Sequence, residues 1–140
     1  MSALGLVLSV HQRLYERSDG RIGHRMLGTP TLLLRTTGRR SGAQRTNALV
    51  YLEDDGSYVV VASKGGDDKP PAWLLNLTAQ PSVEVQIGRR HRAATARVLQ
   101  RGEDGYERLW RLVNENNSGR YDGYQAKTER PIPLVILTPN

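Results

Sequence analysis

The sequence predicts an α+β fold: a closed or partly closed β-barrel of about six short, mostly antiparallel strands with flanking helices. Three observations point there. Strand-like runs follow one another across tight turns, at Asp54-Asp55-Gly56 and Gly88-Arg89-Arg90, which argues against a strand–helix–strand array. Only residues 3–16 and 103–115 carry a clear helical period. Six strands within 140 residues close most readily as a barrel, which removes exposed edges. Residues 1–140 are expected to form one domain, with 1–28 as an N-terminal helix and connector.

The elements follow in order. In 3–16, Ala3, Val7, Val10 and Leu14 recur at helical steps, and Gly20 and Gly23 then break the pattern. Residues 18–30 read as a loop-rich connector. Residues 31–37 (TLLLRTT) and 45–53 (RTNALVYLE) are strands separated by the glycine-bounded turn 38–42. Residues 57–63 (SYVVVAS) form a third strand whose unbroken apolar run requires cover on both faces. Pro70 and Pro71 open a short helix, AWLLNLTA, which ends before Pro81. Val83, Val85 and Ile87 alternate with polar residues, and Ala94, Ala96 and Val98 line one side of the next strand. In the helix 103–115, Tyr106, Leu109, Trp110 and Val113 share a face, so Trp110 is expected in the core. Asn114 to Gly123 reads as a polar connector, and 131–137 (PIPLVIL) as the closing strand.

Composition removes several function classes. The absence of cysteine excludes disulfides, cysteine-ligated metals and thiol nucleophiles. His11, His24 and His91 are too scattered for a histidine metal site, so no metal is expected. No apolar stretch is long enough to span a membrane, and no signal peptide is recognisable, so a cytoplasmic protein is expected, with a membrane surface as the alternative location. Twenty Lys plus Arg against fourteen Asp plus Glu give a charge of +6, which favours an acidic partner. Nucleic acid is not expected, because the basic residues lack interleaved exposed aromatics.

Four segments could carry chemistry. Between Arg35 and Arg45, four arginines, two glycines and several hydroxyls lie within eleven residues. Forked donors on a glycine-flexed turn suit phosphate or carboxylate, although a solvated basic turn reads equally well. Ala62-Ser63-Lys64-Gly65-Gly66 follows a strand and could bring backbone and a cation close to a ligand, or be a plain turn. Trp73 could stack on a planar ring and Asn76 hydrogen-bond it, but a tryptophan among leucines is ordinarily core. Tyr121 and Tyr124 could face a substrate or pack a loop. There is no GxSxG and no paired-carboxylate set, which suits a borrowed cofactor that brings its own chemistry.

The pieces GRIG (20–23), TTGRRSGAQRTNAL (36–49), VVVASKGGDDKPPAWLLNL (59–77), PSVEVQIG (81–88) and YDGYQAKTERPIPLVIL (121–137) together resemble the deazaflavin (coenzyme F420)-dependent nitroreductase family. The resemblance implies a split β-barrel and a bound coenzyme F420 with its phosphate and polyglutamate tail. It implies that Arg39, Arg40, Ser41 and Arg45 hold the phosphate and tail. Thr46, Asn47 and Leu49 would follow along the cofactor, and Ala62, Ser63, Lys64 and Gly65 would line the site. Ala72, Trp73 and Asn76 would border the ring, and Tyr121 and Tyr124 would face the acceptor. The implied reaction is hydride transfer to a small organic acceptor (a quinone, an enone or a nitroaromatic). Pro70 and Leu74 depart from the pattern of relatives, which commonly carry Asn and an aromatic there. An FMN-binding split barrel, a non-catalytic F420 carrier or sensor, and an anionic-surface binding module are the competing readings. The N-terminal helix is expected to cover the barrel, a second subunit in a homodimer, or a membrane surface.

Overall fold

The computed structural model describes residues 25, 26 and 29–140. The expected helix 3–16, the GRIG segment, His11 and His24 lie outside the described residues. Among the described residues there are eight strands: β1 (Arg25–Met26), β2 (Thr29–Thr37), β3 (Gln44–Val50), β4 (Leu52–Asp54), β5 (Ser57–Val61), β6 (Ser82–Ile87), β7 (Arg90–Leu99) and β8 (Leu134–Pro139). Three helices accompany them: α1 (Ala72–Ala79), α2 (Tyr106–Asn116) and α3 (Arg120–Gln125). Six strands are long, as the sequence indicated. The two extra segments are short: β1 lies in the expected connector, and β4 is the end of the 45–53 run, cut off at Tyr51.

Every pairing is antiparallel, and the sheet runs β1-β2-β6-β7-β8-β5-β4 with β3 added to β2. The sheet curls around an inner cluster made by alternate residues of each strand: Leu32 and Leu34, Val83 and Val85, Ala94 and Ala96, Val135 and Leu137, Tyr58 and Val60. Trp73, Leu74 and Leu77 of α1 close one end of that core. A second cluster lies on the outer face, where Val59, Val61, Leu99 and Leu134 meet Tyr106, Leu109 and Val113 of α2 and Tyr121 of α3. Strand β5 therefore has apolar cover on both sides, which is why its sequence lacks alternation. The β4–β5 turn is built as expected, with Asp55 at φ 50° and Gly56 at φ 79°, a pair of left-handed residues suited to a two-residue hairpin.

The polar connector expected over 114–123 is instead the end of α2 followed by α3. Its polar residues satisfy one another inside the structure. The buried Asn114 carboxamide donates to the Trp110 carbonyl at 2.9 Å and accepts the Asp122 backbone N–H at 2.9 Å. Trp110 is half-buried rather than core, because its indole N–H reaches outward to Asp122 Oδ1 at 2.8 Å.

Candidate functional site

The β2–β3 turn is a closed loop. The Gly38 N–H donates to the Ala43 carbonyl at 2.7 Å, the Gly42 N–H to the Gly38 carbonyl at 2.8 Å, and the Ala43 N–H to Ser41 Oγ at 3.1 Å. Gly42 adopts φ 73°, a conformation that disfavours other residues. The turn presents Arg39, Arg40, Ser41 and Arg45 to solvent. Arg40 and Arg45 pair with no acidic side chain among the described residues. Thr46, Asn47 and Leu49 continue along β3, which is half-buried from Thr46 to Val50 instead of alternating. Asn47 and Leu49 share one face of the strand and Thr46 lies on the other, each partly accessible.

Asn76 joins this turn to α1. Its side-chain oxygen accepts both the Arg39 backbone N–H at 3.2 Å and Arg39 Nη1 at 2.9 Å, and its nitrogen donates to Thr36 Oγ1 at 3.4 Å. Asn76 is 4% exposed, so it acts within the protein as a pin between helix and turn. Trp73, expected to border a planar ligand, is buried in the inner core, and only Ala72 of the α1 trio is exposed.

The second expected segment also forms a turn. Ala62 is fully buried, Ser63 is buried, and Lys64 and Gly65 are exposed. Lys64, Gly65 and Gly66 have φ values of 46°, 65° and 88° in succession. For lysine this backbone is uncommon and costs about 1–3 kcal/mol. This backbone places a cationic side chain and adjoining main chain at the surface. The neighbouring Asp67 carboxyl is held below its ordinary range, first by the Lys69 backbone N–H and further by Lys64, Lys69 and Arg130.

Tyr121 and Tyr124 both lie on α3, which packs directly on this turn. A Cβ on Gly66 would sit 2.5 Å from the Tyr124 carbonyl oxygen, so the two backbones are in close contact. The tyrosines themselves differ. Tyr124 is half-buried, with the Lys127 ammonium 5.8 Å from its ring centre and its ring edge-on to Tyr121 at 6.1 Å. Tyr121 is 6% exposed and belongs to the outer core, so the reading that it packs α3 onto the barrel fits its burial. Burial, reinforced by Tyr124, pushes its phenol up from 10.0 to about 12, against an opposing hydrogen bond with Asn117 and the charge of Arg120.

That shift has a testable sign. The unfolded chain loses the Tyr121 proton near pH 10 and the folded chain near pH 12. The stabilisation is complete below pH 10 and is lost as pH rises to 12, by roughly 2–3 kcal/mol at most. Tyr121→Phe is expected to flatten the stability profile over that window. Urea denaturation of both proteins at pH 8 and pH 11 measures it, and parallel profiles would show that Tyr121 does not titrate there.

Sequence reasoning missed Arg130. Its guanidinium donates to the carbonyls of Ala62 at 3.2 Å, Ser63 at 3.1 Å and Asp67 at 3.0 and 3.2 Å. No local pattern marks it, since its partners lie more than 60 residues away in sequence. At the other end of β3, a cavity of about 220 Å³ is lined by Tyr51, Glu53, Tyr58, Arg90 and Arg92 among others, and includes none of the expected site residues.

A family model described as F420H(2)-dependent quinone reductase matches residues 7–139. The chain belongs to that family. It is an F420-dependent reductase, and coenzyme F420 is its cofactor. An F420H(2)-dependent quinone reductase of Mycobacterium tuberculosis is 47% identical over 133 residues, covering 94% of this chain and 89% of the relative. The structure of an F420-H2 dependent reductase superposes with a TM-score of 0.69 at 42% identity, covering 77% of this chain and 93% of that one. A structure described as a domain-swapped dimer matches with a TM-score of 0.72 at 38% identity, over 97% of this chain and 99% of the other. The curled antiparallel sheet is accordingly the split β-barrel that the motifs implied.

The residues present fit an acidic, phosphate-bearing deazaflavin. Two exposed turns carry outward cations: 38–45, tied to α1 through Asn76 and continued by β3, and 62–66, packed against α3.

Proposed function

We propose that the β2–β3 turn, β3 and the 62–66 turn hold coenzyme F420, and that the acceptor is a quinone bound on the α3 side. Bound reduced F420 supplies the hydride. The chain's own task is to orient the cofactor and neutralise its charge. Arg40 and Arg45 are the forks for the phosphate and tail, with Ser41 Oγ beside them. Arg39 has a different part: held on Asn76, it fixes the turn. Thr46, Asn47 and Leu49 follow the cofactor along β3. Lys64 and the backbone of Ser63 and Gly65 meet it from the other turn, and Ala72 borders it from α1. Tyr124 Oη is the group proposed to hydrogen-bond the acceptor oxygen as negative charge develops there. Tyr121, buried and protonated, sets the edge-on position of the Tyr124 ring.

The observation that carries this reading is the pair of exposed cationic turns, one tied to α1 through Asn76 and the other packed against α3. Fluorescence titration with F420, run beside FMN, tests it. F420 is expected to bind at least tenfold more tightly than FMN, and Arg40→Ala and Lys64→Ala are each expected to weaken F420 binding about tenfold, or about 1.4 kcal/mol. Tighter FMN binding would overturn the cofactor assignment. F420 binding without quinone-dependent oxidation would make the protein a carrier or sensor.

A homodimer is the assembly this reading favours, because a solved relative of full-length coverage is described as a domain-swapped dimer. Light scattering on the purified chain tests it. No helix among the described residues is long and apolar enough to cross a membrane. We place the reaction in the cytoplasm, with the membrane surface as the alternative station for a quinone.

A further inference from the structure

We propose that Arg130 is the positioning residue of the cofactor site, stapling the base of the 62–67 turn and tying it to the helix that carries Tyr124. The inference rests on the cofactor reading above.

Few hydrogen bonds of the turn's own backbone hold its shape. Its own backbone makes two hydrogen bonds, from the Gly66 N–H to the Ser63 carbonyl at 2.9 Å and from the Asp67 N–H to the Lys64 carbonyl at 3.2 Å. Against these stand three consecutive positive φ values, one of them on a lysine. Arg130 supplies the missing constraint. Its planar fork reaches carbonyls on both sides of the turn, Ala62 and Ser63 before it and Asp67 after it. The strained residues 64–66 are thereby closed between fixed ends. A lysine, with one point charge on a flexible stem, cannot reproduce the forked bonds to three carbonyls.

Arg130 is itself anchored to α3. Its carbonyl accepts Gln125 Nε2 at 2.9 Å, and its N–H donates to Thr128 Oγ1 at 3.2 Å. Thr128 Oγ1 in turn donates to Asp68 Oδ1 at 2.7 Å, a second bond back to the loop that follows the turn. Gln125 is the last residue of α3, one position after Tyr124. One side chain thus sets the cofactor-facing turn relative to the acceptor-facing helix, without facing either ligand.

The test uses Arg130→Met and Arg130→Lys in the full chain, with Arg108→Met as control. Arg108 makes an exposed ion pair with Asp54 away from the turn. The first readout is hydrogen exchange of the cofactor-free proteins. Amides of 63–68 are expected to exchange at least tenfold faster in both Arg130 variants, while those of β7 and α2 keep their rates. The second is F420 titration, with the dissociation constant expected to rise at least tenfold in Arg130→Met and Arg130→Lys staying within about threefold of it. The third is steady-state reduction of menadione, with the quinone KM expected to stay within about twofold. Wild-type exchange rates and wild-type F420 affinity in Arg130→Met overturn the proposal. So does loosening of the whole barrel, or failure of both Arg130 variants to fold, since Arg130 would then be a general fold determinant. If the wild-type protein itself does not bind F420, the cofactor reading fails, while local loosening of 63–68 still decides whether Arg130 is the staple.

Discussion

Gly66→Ala is expected to destabilise the protein by roughly 2–4 kcal/mol and to abolish tight cofactor binding. Two independent costs meet at this position. Gly66 sits at φ 88°, where any side chain is strained. An added Cβ would also stand 2.5 Å from the Tyr124 carbonyl oxygen, 3.1 Å from Tyr124 Cα and 3.1 Å from Lys127 Cβ. Two of those three atoms are backbone, so no rotamer change relieves the clash. Either α3 moves off the turn or the turn opens. Gly65→Ala supplies the comparison, because Gly65 also has a positive φ, 65°, but its Cβ would meet nothing within 4 Å. That variant is expected to lose only about 1 kcal/mol, the backbone part alone. Urea midpoints of the two variants, with F420 titrations beside them, separate the causes. Equal losses would mean that the approach of α3 is not what the second glycine serves.

Asn76→Ala is expected to cost roughly 2–3 kcal/mol and at least a tenfold loss in F420 affinity. The side chain is buried, accepts two bonds from Arg39 and donates one to Thr36. Truncation leaves the Arg39 N–H and guanidinium without their acceptor and frees the turn from α1. Asn76→Asp divides the effect. A carboxylate still accepts both Arg39 bonds, now charge-assisted, so stability should stay near wild type. Yet it places a negative charge beneath a site meant for an acidic ligand, so F420 affinity should still fall. Wild-type affinity in Asn76→Asp would show that the turn lies away from the cofactor's charge.

The fold was legible where one residue's neighbours in sequence are also its constraints. The Asp55-Gly56 hairpin, the doubly covered β5, the proline-led α1 and the β6–β7 hairpin all carry local signals, and all are present. What the sequence concealed was set by distant contacts. Helix α3 looks like a connector because Asn114, Asn117 and Asp122 are polar, but the first two are buried and Asp122 bonds Asn114 and Trp110 inside the helical pair. Tyr121 and Tyr124 looked equivalent three residues apart, and the outer core claims one of them. The cationic motifs are readable in the sequence, and the structure places Arg39, Arg40, Arg45 and Lys64 on exposed turns. The site's mechanics were not readable. Asn76 reads in the sequence as a ligand contact, and the structure adds that it holds Arg39. Arg130 lies within the 121–137 piece, but nothing local marks its role, which depends on carbonyls 63 to 68 residues earlier in the chain.

Strand β8 lies between β7 and β5 in the sheet, although it follows every other strand in the chain. During synthesis the ribosome therefore delivers the hairpin β4–β5 long before the strand that joins it to β2, β6 and β7. Until β8 emerges, the apolar edge of Val59 to Val61 waits without its partner strand, a period in which a chaperone would find it. The segment bearing Arg130 arrives just ahead of β8. A nascent chain that stops short of it is expected to hold every residue proposed to touch F420 and still fail to recognise it. Pairings of such long sequence separation also place folding at the slower end of the range for small domains. Cofactor capture is thus a late event in the life of each molecule, and holoprotein yield in the cell should follow how quickly the final strand docks.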